Sequence, residues 1–328
     1  MKRSLPVLLI LVLLGNSSAW AQIDPHFSSY YIYPSYINPA LTGVFDGDYR
    51  ISGIYRNQWA NVGSAFSTPG VSIDVATEKS INYGINVMNQ TAGAFNTING
   101  GISLAYTGLR FGTNGNQRIS FGANAGFINR RVNPNKMTFP DQNPGGGTGQ
   151  TAEVINQKSA TAFDIAFGAM YYDAEPGKKA NIFVGVSGSH LSRPQNKFLT
   201  NSMSDDRIPV RWTAHGGVRL LFDNFSLTPN VLYMRQSKSE EVMLGAYAQL
   251  RANETTDLMF GANYRFNDAA VPFVGLYFKN MIVGLSYDIN TSDLGKVAKG
   301  ASSVEISLTY IGRKRTSTPA EPFVCPRL

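Results

Sequence analysis

Hydrophobic residues in this chain recur at every second position. Ile119, Phe121, Ala123, Ala125 and Phe127 are apolar, while the intervening Ser120, Gly122, Asn124 and Gly126 are small or polar. That is the period of a β-strand with two unlike faces. The alternation recurs in Phe163–Tyr171, Phe225–Tyr233, Leu258–Phe266, Val283–Ile289 and Val304–Tyr310. Followed along the chain, it predicts strands at 49–57, 69–79, 82–90, 97–112, 117–131, 159–173, 180–192, 208–222, 225–236, 242–252, 256–267, 271–279, 281–290 and 302–313, about fourteen in all.

A soluble sandwich and a membrane barrel share this pattern, because each needs one apolar face. Three features favour the barrel. Asp164, Arg265, Asp288 and Glu305 fall mid-strand on the polar face, which suits a hydrated lumen. Aromatic residues gather toward strand ends (Tyr55, Trp59, Tyr106, Phe111, Trp212, Phe222, Phe225, Tyr264, Phe266, Tyr287, Tyr310), as interfacial girdles require. Short turns at 114–116, 223–224 and 279–280 interleave with longer segments at 132–158, 193–206 and 291–301. The fold expected is an all-β, transmembrane, antiparallel up-and-down barrel over residues 49–315. With an even strand number both chain ends and Asp223-Asn224 are expected in the periplasm, and loops 132–158 and 193–206 outside.

Composition agrees. Only 16% of residues are charged, and 32 glycines accompany 16 tyrosines and 19 phenylalanines. The mean hydropathy of −0.14 is too low for a helical membrane bundle, and beyond the first twenty positions no apolar run reaches the roughly 20 residues a spanning helix needs. Residues 1–21 read as an export signal: Lys2 and Arg3, an apolar core from Ser4 to Gly15, and Ala19-Trp20-Ala21 as the cleavage site. Without those two cations 27 basic residues face 22 acidic ones, a net charge of +5. The cations are scattered, so nucleic acid is not an expected partner. Cys325 is the single cysteine, which excludes an internal disulfide framework.

Candidate chemistry is sparse. His26, His190 and His215 are the three histidines, without metal-ligand spacing; solvated or girdle positions are expected for them. Ser187 and His190 near Asp173 lack a nucleophile elbow, Gly145-Gly146-Gly147 lacks the Lys-Ser/Thr of a phosphate loop, and Asp141, Asn143, Asp205 and Asp206 read as ordinary loop polarity. No enzyme activity, metal or cofactor is expected. Arg313-Lys314-Arg315 reads as a solvated collar after the last strand.

A barrel of about fourteen strands leaves a bore unless something enters it. The best plug is the segment 22–48, dense in aromatics and proline (Tyr30, Tyr31, Tyr33, Pro34, Tyr36, Pro39), since such surface is not left in water without a partner. At the other end, in the tail 316–328, Thr316 to Pro322 form a Pro- and Thr-containing linker ahead of Phe323, Cys325, Pro326 and Arg327, an extension expected in the periplasm and able to dock on a partner there.

The two chain ends resemble a known family. Asp24-Pro-His26-Phe-Ser-Ser-Tyr-Tyr, then Tyr36-Ile-Asn38-Pro39-Ala-Leu-Thr-Gly43 and Tyr55-Arg56-Asn-Gln-Trp59, look like the opening of the PorP/SprF family of type IX secretion system membrane proteins. Gly284–Asn290, Val304–Leu308 and the tail Phe323–Leu328 look like its close, with Leu328 standing where an aromatic residue is often found. The resemblance implies an outer-membrane barrel of Bacteroidota, surrounded by outer-membrane lipid. It would work with periplasmic type IX secretion or gliding proteins and assist a large secreted cell-surface adhesin. His26, Tyr36, Asn38, Pro39, Gly43, Arg56 and Trp59 are then the candidate plug or partner-binding residues. A general porin or uptake channel and a purely structural anchor are the rival readings. A porin needs an open, charged constriction, and this lumen reads as lined by small residues behind a plug.

Overall fold

The computed structural model describes residues 24–59, 65–77, 79–112, 115–137, 158–195, 207–292 and 302–313. Fourteen strands close into an antiparallel barrel in sequence order: β1 (Tyr49–Gln58), β2 (Phe66–Val75), β3 (Ile81–Ala92), β4 (Phe95–Phe111), β5 (Gln117–Val132), β6 (Ser159–Asp173), β7 (Ala180–Ser189), β8 (Arg211–Leu221), β9 (Phe225–Gln236), β10 (Ser239–Asn253), β11 (Thr256–Arg265), β12 (Ala269–Phe278), β13 (Met281–Asn290) and β14 (Ser303–Gly312). β1 and β14 complete the ring, with Tyr49 opposite Gly312 and Gln58 opposite Ser303. The largest departure from the expected boundaries is β2, which lies nearer the amino terminus than 69–79. The expected strand opened at Pro69, a position where a strand tolerates proline; in the structure Pro69 sits inside the strand, opposite Tyr55 of β1.

The expected faces are observed. Ile73, Tyr83, Leu104, Phe121, Phe167, Val184, Trp212, Phe260, Val274, Leu285 and Ile306 are exposed on the outside, where only lipid can cover so much apolar surface. Ser72, Asn82, Ser103, Ser120, Asn181, Thr213, Asn263, Ser286 and Ser307 are buried within. A span of about 9–11 tilted residues crosses a bilayer. The 12, 17, 16 and 15 residues of β3 to β6 therefore carry that wall beyond it.

We call the end where β1 begins and β14 finishes the base, and the opposite end the mouth. The described connections at the base are short, as expected, but those at the mouth are of two kinds. The strand ends that flank the long segments 132–158, 193–206 and 291–301 lie there, together with the tight turns between β3 and β4, β9 and β10, and β11 and β12. The central parts of those long segments lie outside the described residues. Outer-membrane barrels turn tightly on the periplasmic side, so the base is the end expected in the periplasm and the mouth the end expected outside.

Residues 24–48 enter no strand. They lie within the barrel, and Phe27, Tyr30, Tyr31, Tyr33, Ile37, Ala40 and Leu41 are buried there. This corrects the expectation that both chain ends lie at the base. Asp24 bonds His190, directly after β7, and Arg211, the first residue of β8, both at the mouth. Even strand number governs only where the chain joins β1 and leaves β14. The stretch before β1 is long enough to traverse the lumen.

Candidate functional site

The segment crosses the lumen as three short turns, Tyr30–Ile32, Pro34–Ile37 and Pro39–Leu41, the longest of four residues. Pro34 and Pro39 open the second and third, where a missing N–H costs nothing. The Asn38 side chain accepts from the Ala40 N–H at 2.9 Å. Turns this short leave most main-chain groups unpaired, and side chains from the barrel wall meet them.

Near the mouth, Glu305 accepts from the backbone N–H groups of Ser28 (2.9 Å) and Ser29 (2.7 Å), and Asn263 donates to the Ser28 carbonyl (3.0 Å). From the mouth inward Arg211 donates to the Tyr36 carbonyl (2.9 Å), Ser187 to Ile37 (2.6 Å) and Ser120 to Ala40 (2.7 Å). Toward the base Arg50 donates to Leu41 (3.4 Å), Asn82 donates to Thr42 (3.3 Å), and Asp74 accepts from the Gly43 N–H (2.8 Å). Gly43 has φ +72, and a Cβ there would overlap Asn82, so glycine is required on both counts.

Aromatic packing fills the gaps. The Tyr31 ring lies 5.6 Å from those of both Tyr247 and Phe273. Phe27, Tyr33 and Tyr36 form a trio with centroids 5.8 to 6.1 Å apart. The wall they meet is apolar: Leu232, Met234, Met243, Tyr247 and Phe273 are all buried against the segment. The expected lining of small residues therefore holds for only part of the lumen. Val231–Met234 is a continuous apolar run, and period-two reading assigns its outward half to lipid while leaving the inward half unexplained. Opposite, the wall is pared to glycine where Asn38-Pro39 passes. A Cβ on Gly168 would overlap Asn38, and one on Gly122 would overlap the Pro39 backbone.

Charges hold the segment at both ends. Toward the mouth Arg56 pairs with Asp288 (2.7 Å) and Glu305 (3.3 Å), and Arg265 pairs with Asp288 (2.6 Å) and Asp268 (2.5 Å). Ser28 Oγ sits among them, accepting from Arg56 (2.7 Å) and donating to Asp288 (2.8 Å). Arg56 also points a guanidinium N–H at His26 Nε2, 3.3 Å away. Because arginine can only donate, His26 is neutral there and its Nδ1–H faces Glu241 at 3.6 Å. Burial, reinforced by the nearby Arg265 and Arg56 cations, lowers its pKa in agreement. At the base Arg50 pairs with Asp74 (2.7 Å) and lies over the Phe45 ring, and Arg313 pairs with Asp46 (2.6 Å). Arg313 is thus ion-paired while its side chain stays 55% exposed, a solvated position as expected; Lys314 and Arg315 lie outside the described residues.

All three histidines are buried, which corrects the expectation of solvated or girdle positions. His215 contacts the Asn38 amide at 3.2 Å. His190 bridges Asp24 (2.7 Å) and Asp164 (2.9 Å), while Arg211 holds Asp24 at 3.0 Å and stacks over Tyr36. Asp173 is paired with Lys178 at the base, and Ser187 is engaged with Ile37, so these groups do not assemble with His190 into a hydrolase site.

The mouth anchor is pH-sensitive. Burial alone would lower the His190 pKa, but the Asp24 and Asp164 carboxylates overcome it and raise it to about 9. Asp24 is penalised by burial too, yet His190 and Arg211 hold it below the usual carboxylate range. A raised histidine contributes fully below its ordinary value of 6.5, and the contribution is lost as pH rises through about 9. The Asp24 contribution is present above 3.8 and fails only in stronger acid. Between pH 7 and about pH 10, amide hydrogen-exchange protection at His26–Ser29, corrected for intrinsic rate, should fall, and His190→Gln should remove that pH dependence. Unchanged protection would contradict the assignment.

Of the residues singled out in the sequence, His26, Tyr36, Asn38, Pro39, Gly43 and Arg56 converge in the lumen. Trp59 does not: it stands at the mouth rim with φ 58, its ring edge-on to Phe66. Phe323, Cys325, Pro326 and Arg327 lie outside the described residues. Arg50, Asp74, Arg211 and His190 were missed as site residues. Their one sequence signal is charge on the inward face of a strand that must cross a membrane, which calls for a partner.

Fold and lumen together define an outer-membrane β-barrel holding its own amino-terminal segment. The family profile described as "Type IX secretion system membrane protein PorP/SprF" matches residues 19–310, and the chain belongs to that family. No curated protein matches it. Among solved structures, the toluene transporter TbuX of Ralstonia pickettii aligns at a TM-score of 0.52 and 11% identity, over 86% of this chain and 94% of that one. The CymD monoaromatic hydrocarbon channel aligns at 0.48 and 10%, over 90% and 96%. At such identities the likeness concerns the fold alone.

Proposed function

We propose that this protein is a non-enzymatic component of the type IX secretion and gliding machinery. In this reading it docks periplasmic partners at its base and assists secretion or surface display of a large adhesin, and it does not conduct solutes. The observation that carries the reading is the lumen of a PorP/SprF-family barrel occupied by residues 24–48, with buried ion pairs near each end. A diffusion pore needs a continuous aqueous path, and aromatic side chains fill the centre of this one. A strain lacking the protein should lose surface display of type IX clients while small-solute permeability stays nearly unchanged. Full display with loss of a nutrient's uptake would favour the porin reading.

The docking element we propose is the tail 316–328, whose Phe323, Cys325, Pro326 and Arg327 follow a linker that cannot pack on itself. An unpaired cysteine in an oxidising compartment calls for burial or pairing, and a partner surface supplies it. Truncation after Arg315 should leave a heat-modifiable barrel in the outer membrane while abolishing co-purification with periplasmic machinery and client display. Normal display by the truncated protein would dismiss the docking role.

A further inference from the structure

We infer that the lumen is a peptide-binding site, that residues 24–43 are its resident ligand, and that a segment of a second polypeptide able to form the same short turns, bearing an aromatic residue ahead of an Asn-Pro pair, can take their place. Three observations carry this.

The first is the way the wall meets the segment. Nine hydrogen bonds from eight wall side chains end on main-chain N–H or C=O groups of residues 28–43. They come from β1, β2, β3, β5, β7, β8, β11 and β14, so they line the whole path from mouth to base. Bonds to main chain are available to any polypeptide. They hold a chain whose short turns leave its main-chain groups unpaired, with pockets for a few side chains supplying selectivity. Two such pockets are built here: the Tyr247–Phe273 pair around Tyr31, and the pared wall at Gly122 and Gly168, where the Asn38 amide donates to the Ala169 and Val186 carbonyls at 3.1 and 3.3 Å.

The second is that the barrel closes without the segment. Every rung of the ring, including β1 on β14, is made between residues 49 and 312, and residues 24–48 contribute no strand. The third is the chemistry of the lining. Where the segment withdraws, the Ser, Thr, Asn, Asp, Glu and Arg side chains of the wall meet water instead, while Leu232, Met234, Met243, Tyr247 and Phe273 are left as an apolar patch that an incoming aromatic side chain covers. A segment with these properties is a ligand tethered in cis, held by high effective concentration.

That the displacing segment belongs to a secretion client rests on the function proposed above; exchange itself does not. The test uses full-length protein with a site-specific protease sequence inserted between Phe45 and Asp46. The barrel is purified, cut, washed at temperatures up to the onset of barrel unfolding, and offered a fluorophore-labelled synthetic peptide of residues 24–43. One labelled peptide should bind per cut barrel and none to the uncut protein. The same peptide carrying Tyr31→Ala and Asn38→Ala should bind at least about tenfold more weakly. Retention of the resident piece without exchange would overturn the inference. So would equal binding of the doubly substituted peptide, which would mean unselective adsorption. Both readouts are made in vitro, so their failure leaves the secretion reading to its own null-strain test.

Discussion

An epitope placed directly ahead of Asp24 will be bound by antibody on intact cells, whereas the same epitope after Arg313 will be bound only once the outer membrane is opened. The expectation follows from the path of residues 24–48. Asp24 is held by His190 and Arg211 at the end of the barrel reached by β7 and left by β8. Asp46 pairs with Arg313 at the end where β14 finishes. The segment therefore runs the length of the bore, and with tight turns on the periplasmic side its first residues open outward. The contrast is all or none. Labelling of both positions only in opened cells would mean that the segment does not traverse the lumen in the membrane.

Replacing Arg56 with methionine should be the most damaging single change in the lumen. Its side chain is 2% exposed and its partners Asp288 and Glu305 are 4% and 1% exposed. Glu305 in turn holds the Ser28 and Ser29 amides. Removing one partner of a buried pair leaves the other charge uncompensated, at a cost of about 3–5 kcal/mol. Asp288 keeps Arg265 at 2.6 Å, which places the expected loss near the lower bound. Heat-modifiability on gels, read as a lowered transition temperature, measures it. Arg56→Met combined with Glu305→Gln should recover part of the loss, because the stranded charge is gone; strictly additive losses would show that the two residues do not act as a pair.

Arg56 also illustrates how far a residue can be read before its surroundings are known. In sequence it belongs to a Tyr-Arg-Asn-Gln-Trp stretch whose alternation directs Tyr55 outward and Arg56 inward, and the structure agrees on both faces. Its partners lie 232 and 249 residues away along the chain, and no local spacing connects them. Trp59 shows the reverse. It is three residues from Arg56 and part of the same stretch, yet a positive φ at the strand end turns it to the rim.

By itself the sequence determined the faces. Period two separates lipid-side from lumen-side residues because successive side chains of a strand point opposite ways, and that local rule yields fourteen strands and the even count. The aromatic character of residues 24–48 likewise required burial somewhere. Which way that segment runs, which carboxylate meets which guanidinium, and why Leu232, Met243 and Phe273 face inward were decided only by the closed ring. Closure brings strands from opposite ends of the chain to one lumen, and the charge and volume of the segment inside select among pairings that no stretch of sequence contains.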